Sequence, residues 1–237
     1  MPIHTADALV LRTYKLGEAD RIVVFLTRDR GKKRGVAKGA RRSKSRFVGA
    51  LEPLTEVRVA YFERERRELV GLNYAETVRS PLTLAGPPRP SVHVREDGGV
   101  DIGAPVDPEA LGYVSYFAEL LDEWAQDADA DERLYRLGAS MLDALGAGAP
   151  VQALARYFEY WLLRLQGVYP EGRGNLSDGA AAFLAASRGV PPHRIGGILV
   201  EPRVLRELEG VHRALIGMHL EKTLKSDRVL RDLHRPA

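Results

Sequence analysis

"ALVLRTYKLGEADRIVVFLTRDRGKKRGVAKGARRSKSRFVGALEPLTEVRVAYF", residues 8–62, is the stretch whose reading decides the fold. In "DALVLRTY" (7–14), Ala8, Val10 and Arg12 alternate with Leu9, Leu11 and Thr13, and "DRIVVFLT" (20–27) is a β-branched run ending on a polar turn. "RDRG" turns the chain, "KKRGVAKG" (32–39) reads as a short basic strand, and "TEVRVAYF" (55–62) alternates Val57, Val59 and Tyr61 with Glu56, Arg58 and Ala60. "LVGLNYAE" (69–76) supplies a fifth strand. Five short strands suit a closed or partly closed barrel, because closure removes the edges that a small open sheet exposes. The reading is a five-stranded OB-fold barrel over residues 1–80. Its third-to-fourth connection, "KGARRSKSRFVGALEPL" (38–54), is punctuated by Gly39, Gly49 and Pro53 and lacks the apolar period of a helix.

Downstream, residues 81–107 turn rich in Pro and Gly, as expected of a linker, and within them "SVHVREDGGVDI" (91–102) reads as a hairpin on Asp97-Gly98-Gly99. Beyond residue 108 the period becomes helical. Tyr113, Phe117, Leu120, Leu121 and Trp124 share one face, as do Leu134, Leu137, Met141, Leu142 and Leu145, and again Leu154, Tyr157, Phe158, Trp161, Leu162 and Leu165. Ser177 is placed to cap one further helix and Pro202 to open another. The fold class is therefore α+β, a barrel followed by an α-helical bundle over 108–237.

Composition narrows the chemistry. Cysteine is absent, which removes disulfides, thiolate metal sites and cysteine nucleophiles together. The six histidines show no metal-ligand spacing, nothing matches a phosphate-binding GxxxxGK[ST] loop, and Ser140 lies mid-helix rather than on a nucleophile elbow. No cofactor, metal or catalytic residue is assigned. No apolar run approaches the roughly 18 residues of a membrane span, and the N-terminus lacks the pattern of an export signal, so the expected location is cytoplasmic, without a membrane partner.

The net charge of +3 conceals an asymmetry: residues 1–81 carry 18 Lys and Arg against 10 Asp and Glu, while the remainder carries 17 against 22. Between residues 28 and 46 there are ten basic residues and one acid, Asp29. Mixed signs serve solubility without self-repulsion; a single-sign run on a barrel loop suits phosphate neutralisation and counterion release. The expected nucleic-acid contacts are Lys32, Lys33, Arg34, Lys38, Arg41, Arg42, Lys44 and Arg46. Phe47 is a candidate for base stacking or for plugging the barrel, and Tyr14 is a second candidate stacker. DNA and RNA satisfy the same electrostatics, so an RNA-binding OB protein acting in translation or RNA handling is the alternative.

The same residues resemble a known family. A strand, a "GE.D.I" turn, "LT...GK" and "AKGARR.KSRF" in that order are similar to the N-terminal OB domain of the bacterial recombination mediators of the RecO family, and "FAELLDEWA", "RYFEYWLLRLQGVYP" and "HLEKTLKSDRVLRDL" resemble that family's helical core. The resemblance implies a non-enzymatic DNA repair and recombination factor. Such a factor binds single- and double-stranded DNA, anneals complementary strands, and works with RecR and the C-terminal tail of single-stranded-DNA-binding protein to load RecA. An acidic, apolar tail would suit a helical groove formed by Arg156, Phe158, Trp161 and Arg164. The chain departs from the family where a zinc module of two CxxC pairs is common: "GGILVEPRV" keeps Gly196, Gly197 and Leu199 but has Val200 and Arg203 at the cysteine positions. The segment at about 169–203 is thus expected to hold by packing of Leu176, Phe183, Leu184, Ile195, Ile198 and Leu199.

Overall fold

β1 (Ile3–Leu16) is long enough to serve two neighbours: Ile3–Leu9 pairs antiparallel with β4 (Glu56–Phe62), and Ala8–Leu16 pairs with β2 (Asp20–Thr27), with an irregularity between Val10 and Arg12. Such a register shift bends a strand and lets one strand turn a barrel corner. β2 continues antiparallel into β3 (Gly31–Ala37), and β5 (Val70–Arg79) closes the circle, antiparallel to β4 and parallel to β3 through Gly35–Val70, Val36–Gly71 and Ala37–Leu72. The closed order is β1-β2-β3-β5-β4, an OB barrel. These features belong to a computed structural model that describes residues 3–63, 68–84, 107–170, 172 and 175–233. The hairpin expected at 91–102 lies outside the described residues.

β2 is buried on both faces from Val23 to Thr27, which is why "IVVFL" shows no polar alternation. Val10, Val23, Phe25, Val57, Val59, Tyr61 and Leu72 fill the barrel. Leu9, Leu11, Val24 and Leu26 face outward into a second core, shared with the helices. Each buried aliphatic side chain contributes about 1.5–3 kcal/mol, so barrel and helices are joined by a hydrophobic seam.

After a short helix α1 (Pro81–Leu84) come α2 (Pro108–Trp124), capped by Asp107, α3 (Glu132–Gly146), capped by Asp131, and α4 (Val151–Leu165). α5 (Asp178–Arg188) is capped by Ser177, whose hydroxyl accepts from the Ala180 N–H at 3.2 Å. A 3₁₀ turn (Pro192–Gly197) leads to α6 (Pro202–Leu220) and α7 (Lys225–Leu233). α2 is the central helix: its Tyr113, Phe117, Leu120 and Leu121 are buried in the shared core. No described helix is long and apolar enough to cross a membrane.

Charges flank the seam. Arg12 reaches Glu119 and Asp122, both at 3.3 Å, and Arg28 reaches Glu132 at 2.7 Å. Arg79 pairs with Glu56 at 2.5 Å and also with Asp143, while the Tyr135 hydroxyl donates to Glu56 at 2.8 Å. Part of the sign difference between the two halves of the chain is thus engaged inside the protein, across the joint.

Candidate nucleic-acid interface

Residues 38–54 close one end of the barrel as a chain of turns. Successive three-residue hydrogen bonds, Arg42 N–H to Gly39 C=O at 3.1 Å, Ser45 to Arg42 at 3.0 Å and Ala50 to Phe47 at 3.2 Å, wind the segment tightly without making a helix. Gly39 and Gly49, at φ +70° and +74°, take conformations that a Cβ disfavours. The winding gives the loop two sides. Phe47, Ala50 and Leu51 enter the barrel core, while Lys38, Arg41, Arg42, Lys44 and Arg46 are exposed.

The turn between β1 and β2 pins this loop. Asp20 Oδ1 accepts the Gly39 N–H at 2.8 Å, the Arg41 N–H donates to Ala19 C=O at 2.9 Å, and the Arg41 guanidinium donates to Gly17 C=O at 2.9 Å. Arg46 sits over the Phe47 ring at 5.1 Å. Among the described residues no carboxylate pairs with any of the five exposed cations. Five like charges held on one rim, with their heads in solvent, present a polyanion with contacts that need not first break internal ion pairs.

The β3 cations differ. Lys32 is 8% exposed, and its ammonium donates to Asp122 C=O at 2.7 Å with Asp122 Oδ1 at 3.5 Å. Lys33 is held by Glu63 at 2.9 Å. Arg34 remains exposed, with Asp127 3.9 Å away. The expectation for Lys32 is corrected: it is a structural cation of the barrel–helix joint. Lys33 is engaged before any ligand arrives.

Phe47 is 2% exposed, so the plug replaces the stacking candidate. Tyr14 is exposed on β1, three residues before the Gly17 turn, on the same barrel end as the cationic rim.

The helical groove expected at Arg156, Phe158, Trp161 and Arg164 does not form. Phe158 is fully buried against Phe117, ring centroids 4.7 Å apart, and Arg156 is buried with Glu159 at 2.8 Å and Glu209 at 3.3 Å. Glu159 also accepts from the Tyr116 hydroxyl at 2.8 Å and lies 2.9 Å from His212 Nδ1. Burial alone would raise the Glu159 carboxyl; Arg156, His212 and Tyr116 outweigh it and hold the group below the usual carboxylate range. Arg164 is exposed and Trp161 half-buried.

The residues at 175–203 do not fit zinc. The chain has no cysteine, and among the described residues no three His, Asp or Glu gather to hold a metal. Ala180, Phe183, Leu184 and Ile195 instead pack against the helical core with Val204 and Leu208. Leu199, expected to pack, is fully exposed.

Two arrangements escaped sequence reasoning: Asp20 as the loop's anchor, visible only as part of "LGEAD", and the approach of Arg188 to Arg164 at the Tyr160 hydroxyl.

A five-stranded OB barrel with a cationic loop at one end, seamed to an α-helical bundle, defines the class. The model described as "Recombination protein O N terminal" matches residues 1–81, and "Recombination protein O C terminal" matches residues 105–173. The chain is 30% identical over 257 residues to the DNA repair protein RecO of Geobacter metallireducens, covering 96% of both chains. It is 37% identical over 198 residues to that of Anaeromyxobacter sp. strain K, covering 77% of this chain and 70% of the relative. Against the Koribacter versatilis protein of the same name it is 39% identical over 170 residues, 71% of this chain and 61% of the relative. The chain belongs to the RecO family.

Proposed function

We propose that this protein serves DNA repair and homologous recombination by holding single- and double-stranded DNA through their phosphodiester backbones and annealing complementary strands. The observation that carries the reading is the pinned rim of Lys38, Arg41, Arg42, Lys44 and Arg46, free of carboxylate partners among the described residues. Two backbones repel each other; a surface that screens both while leaving base edges free lowers the barrier to pairing. No covalent bond breaks, so the role is that of a mediator rather than an enzyme. In this reading the protein acts on the nucleoid in the cytoplasm, with RecR and the tail of single-stranded-DNA-binding protein, to help load RecA. With Arg156 and Phe158 buried, that tail is not assigned to the groove expected from sequence.

The test is a salt titration of fluorescent single-stranded DNA against the parent and an R41A/R42A/K44A variant. Each phosphate contact on a single strand contributes about 0.7 to the slope of log K against log salt, so the triple variant is expected to lower it by about 2, equally for all sequences. An unchanged slope overturns the proposal. Preference for a matched RNA over DNA would move the function to RNA handling, and annealing that stops in chelator would point to a metal-dependent activity.

A further inference from the structure

Arg164, in the last turn of α4, and Arg188, the last residue of α5, converge on one oxygen: the Tyr160 hydroxyl accepts from Arg164 Nη1 at 3.0 Å and from Arg188 Nε at 2.5 Å. Both arginines are exposed, and among the described residues neither meets a carboxylate. A basic residue at a helix C-terminus is favoured by the helix dipole, which accounts for each arginine separately. The Tyr160 ring draws both as well, with Arg164 at 5.7 Å and Arg188 at 5.6 Å from its centroid, so one phenol sets two guanidiniums side by side.

A phenol oxygen has two lone pairs and one proton. With both lone pairs taken, the Tyr160 O–H has no acceptor among the described residues. The ring itself is fixed: Tyr160 is buried, with Tyr169 at 4.9 Å and Trp161 at 5.6 Å between ring centroids. Arg164 also lies 6.0 Å over the Trp161 ring. The cluster offers donors and positive charge with no negative group to match among the described residues, on a rigid aromatic base.

We infer that Arg164 and Arg188 form a second phosphate-binding site, a backbone contact for DNA on the helical domain, separate from the rim of the barrel. This rests on the DNA-binding reading above. Planar guanidinium forks match the oxygens of a phosphodiester. The fit to a protein tail is poorer, because such a tail also needs an apolar pocket: Trp161 is half-buried, and the exposed apolar side chains Leu199, Met218, Val229 and Leu233 sit on α6, α7 and the loop before α6 rather than on α4 or α5. The cysteine-free segment thereby gains a role, since α5 is what brings Arg188 to α4.

The experiment compares the parent, R164A/R188A, R164K/R188K and the rim variant R41A/R42A/K44A in salt titrations of fluorescent oligo(dT), with thermal melting of each protein as a control. For one phosphate the alanine pair is expected to lower the slope by about 0.7, additively with the rim variant, and the lysine pair to keep most of it. If the rim variant loses slope and the alanine pair, still folded, does not, the second site is wrong while the reading of the rim stands. If neither changes the slope, both fail. A parent that binds an acidic peptide with a free C-terminal carboxylate, and an alanine pair that loses that binding but keeps its DNA slope, would overturn the phosphate assignment in favour of a tail.

Discussion

Asp20 Oδ1 accepts the backbone N–H of Gly39 at 2.8 Å, so a carboxylate stands at the root of the most cationic loop in the molecule. Charge and geometry then predict opposite outcomes for its removal. Deleting a negative charge beside a phosphate-binding rim strengthens DNA binding if only the field matters. Losing the bond that holds the loop weakens it. We expect D20A to bind single-stranded DNA about fivefold more weakly, the equivalent of one hydrogen bond of roughly 1 kcal/mol, and D20N, which keeps a carbonyl acceptor, to bind at least as tightly as the parent. Fluorescence anisotropy decides; tighter binding by D20A would show that the pin is irrelevant.

Lys32 and Lys44 are equivalent in sequence and opposite in structure. Lys32 is buried against Asp122, and its backbone is fastened to the α2–α3 connection through Gln126 C=O at 3.1 Å and the Ala128 N–H at 3.0 Å. K32A leaves the Asp122 carbonyl without its ammonium donor and the Asp122 carboxylate to Arg12 alone among the described residues, and is expected to cost about 1–3 kcal/mol of stability while leaving the salt slope of DNA binding intact. K44A should do the reverse: stability within about 0.5 kcal/mol and a slope lowered by about 0.7. Urea denaturation and salt titration on both variants check the pair.

Phe47 closes the barrel, with Arg46 over its ring. F47A is expected to cost about 3–5 kcal/mol by opening a cavity. F47L keeps most of the plug, so its DNA affinity should stay within twofold of the parent. A ring that stacked on bases would forfeit about 1–3 kcal/mol of binding in the same variant, and that loss would return Phe47 to the interface.

What the sequence revealed and what it hid have separable physical causes. Strand and helix periods are local, so "IVVFL" could be read as a strand and the Leu154–Leu165 stripe as a helix without knowing their neighbours. The continuous apolar character of β2 even carried the further fact that both its faces are covered. Charge is local too, but its availability is not: nothing near Lys32 in the chain separates it from Lys44, because its partner Asp122 lies 90 residues away. Arg156 and Phe158 lie on a helix that was legible, yet they point into the core, where Glu159 and Glu209 neutralise the arginine. The anchor of the cationic loop and the meeting of Arg164 with Arg188 depend on closure of the barrel and on packing of α5, which no residue period encodes.

Glu119 ties three parts of the molecule together and makes the joint sensitive to acid. Its carboxylate accepts from the Ser226 N–H at 2.7 Å, the Ser226 hydroxyl at 2.6 Å and the Lys225 N–H at 3.1 Å, capping α7, while Arg12 of the barrel lies 3.3 Å away. Burial opposes its ionisation, but Ser226, Lys225 and Arg12 together outweigh burial and hold the carboxyl below its ordinary value. A carboxyl whose folded value is depressed releases its proton more readily in the folded protein, so its stabilisation is complete above the ordinary glutamate value of about 4.3 and is lost as pH falls from there through the folded value. The buried Glu159, depressed by Arg156, His212 and Tyr116 against its own burial, adds loss in the same direction. The melting temperature is therefore expected to fall on acidification below about pH 4.3, with the amides of α7 exchanging hydrogen before the barrel amides do. E119Q should be less stable than the parent at neutral pH and show a shallower acid dependence, because one linked proton is gone. Melting curves from pH 7 to 3 on both proteins make the comparison, and an E119Q variant as steep in acid as its parent would place the sensitivity elsewhere.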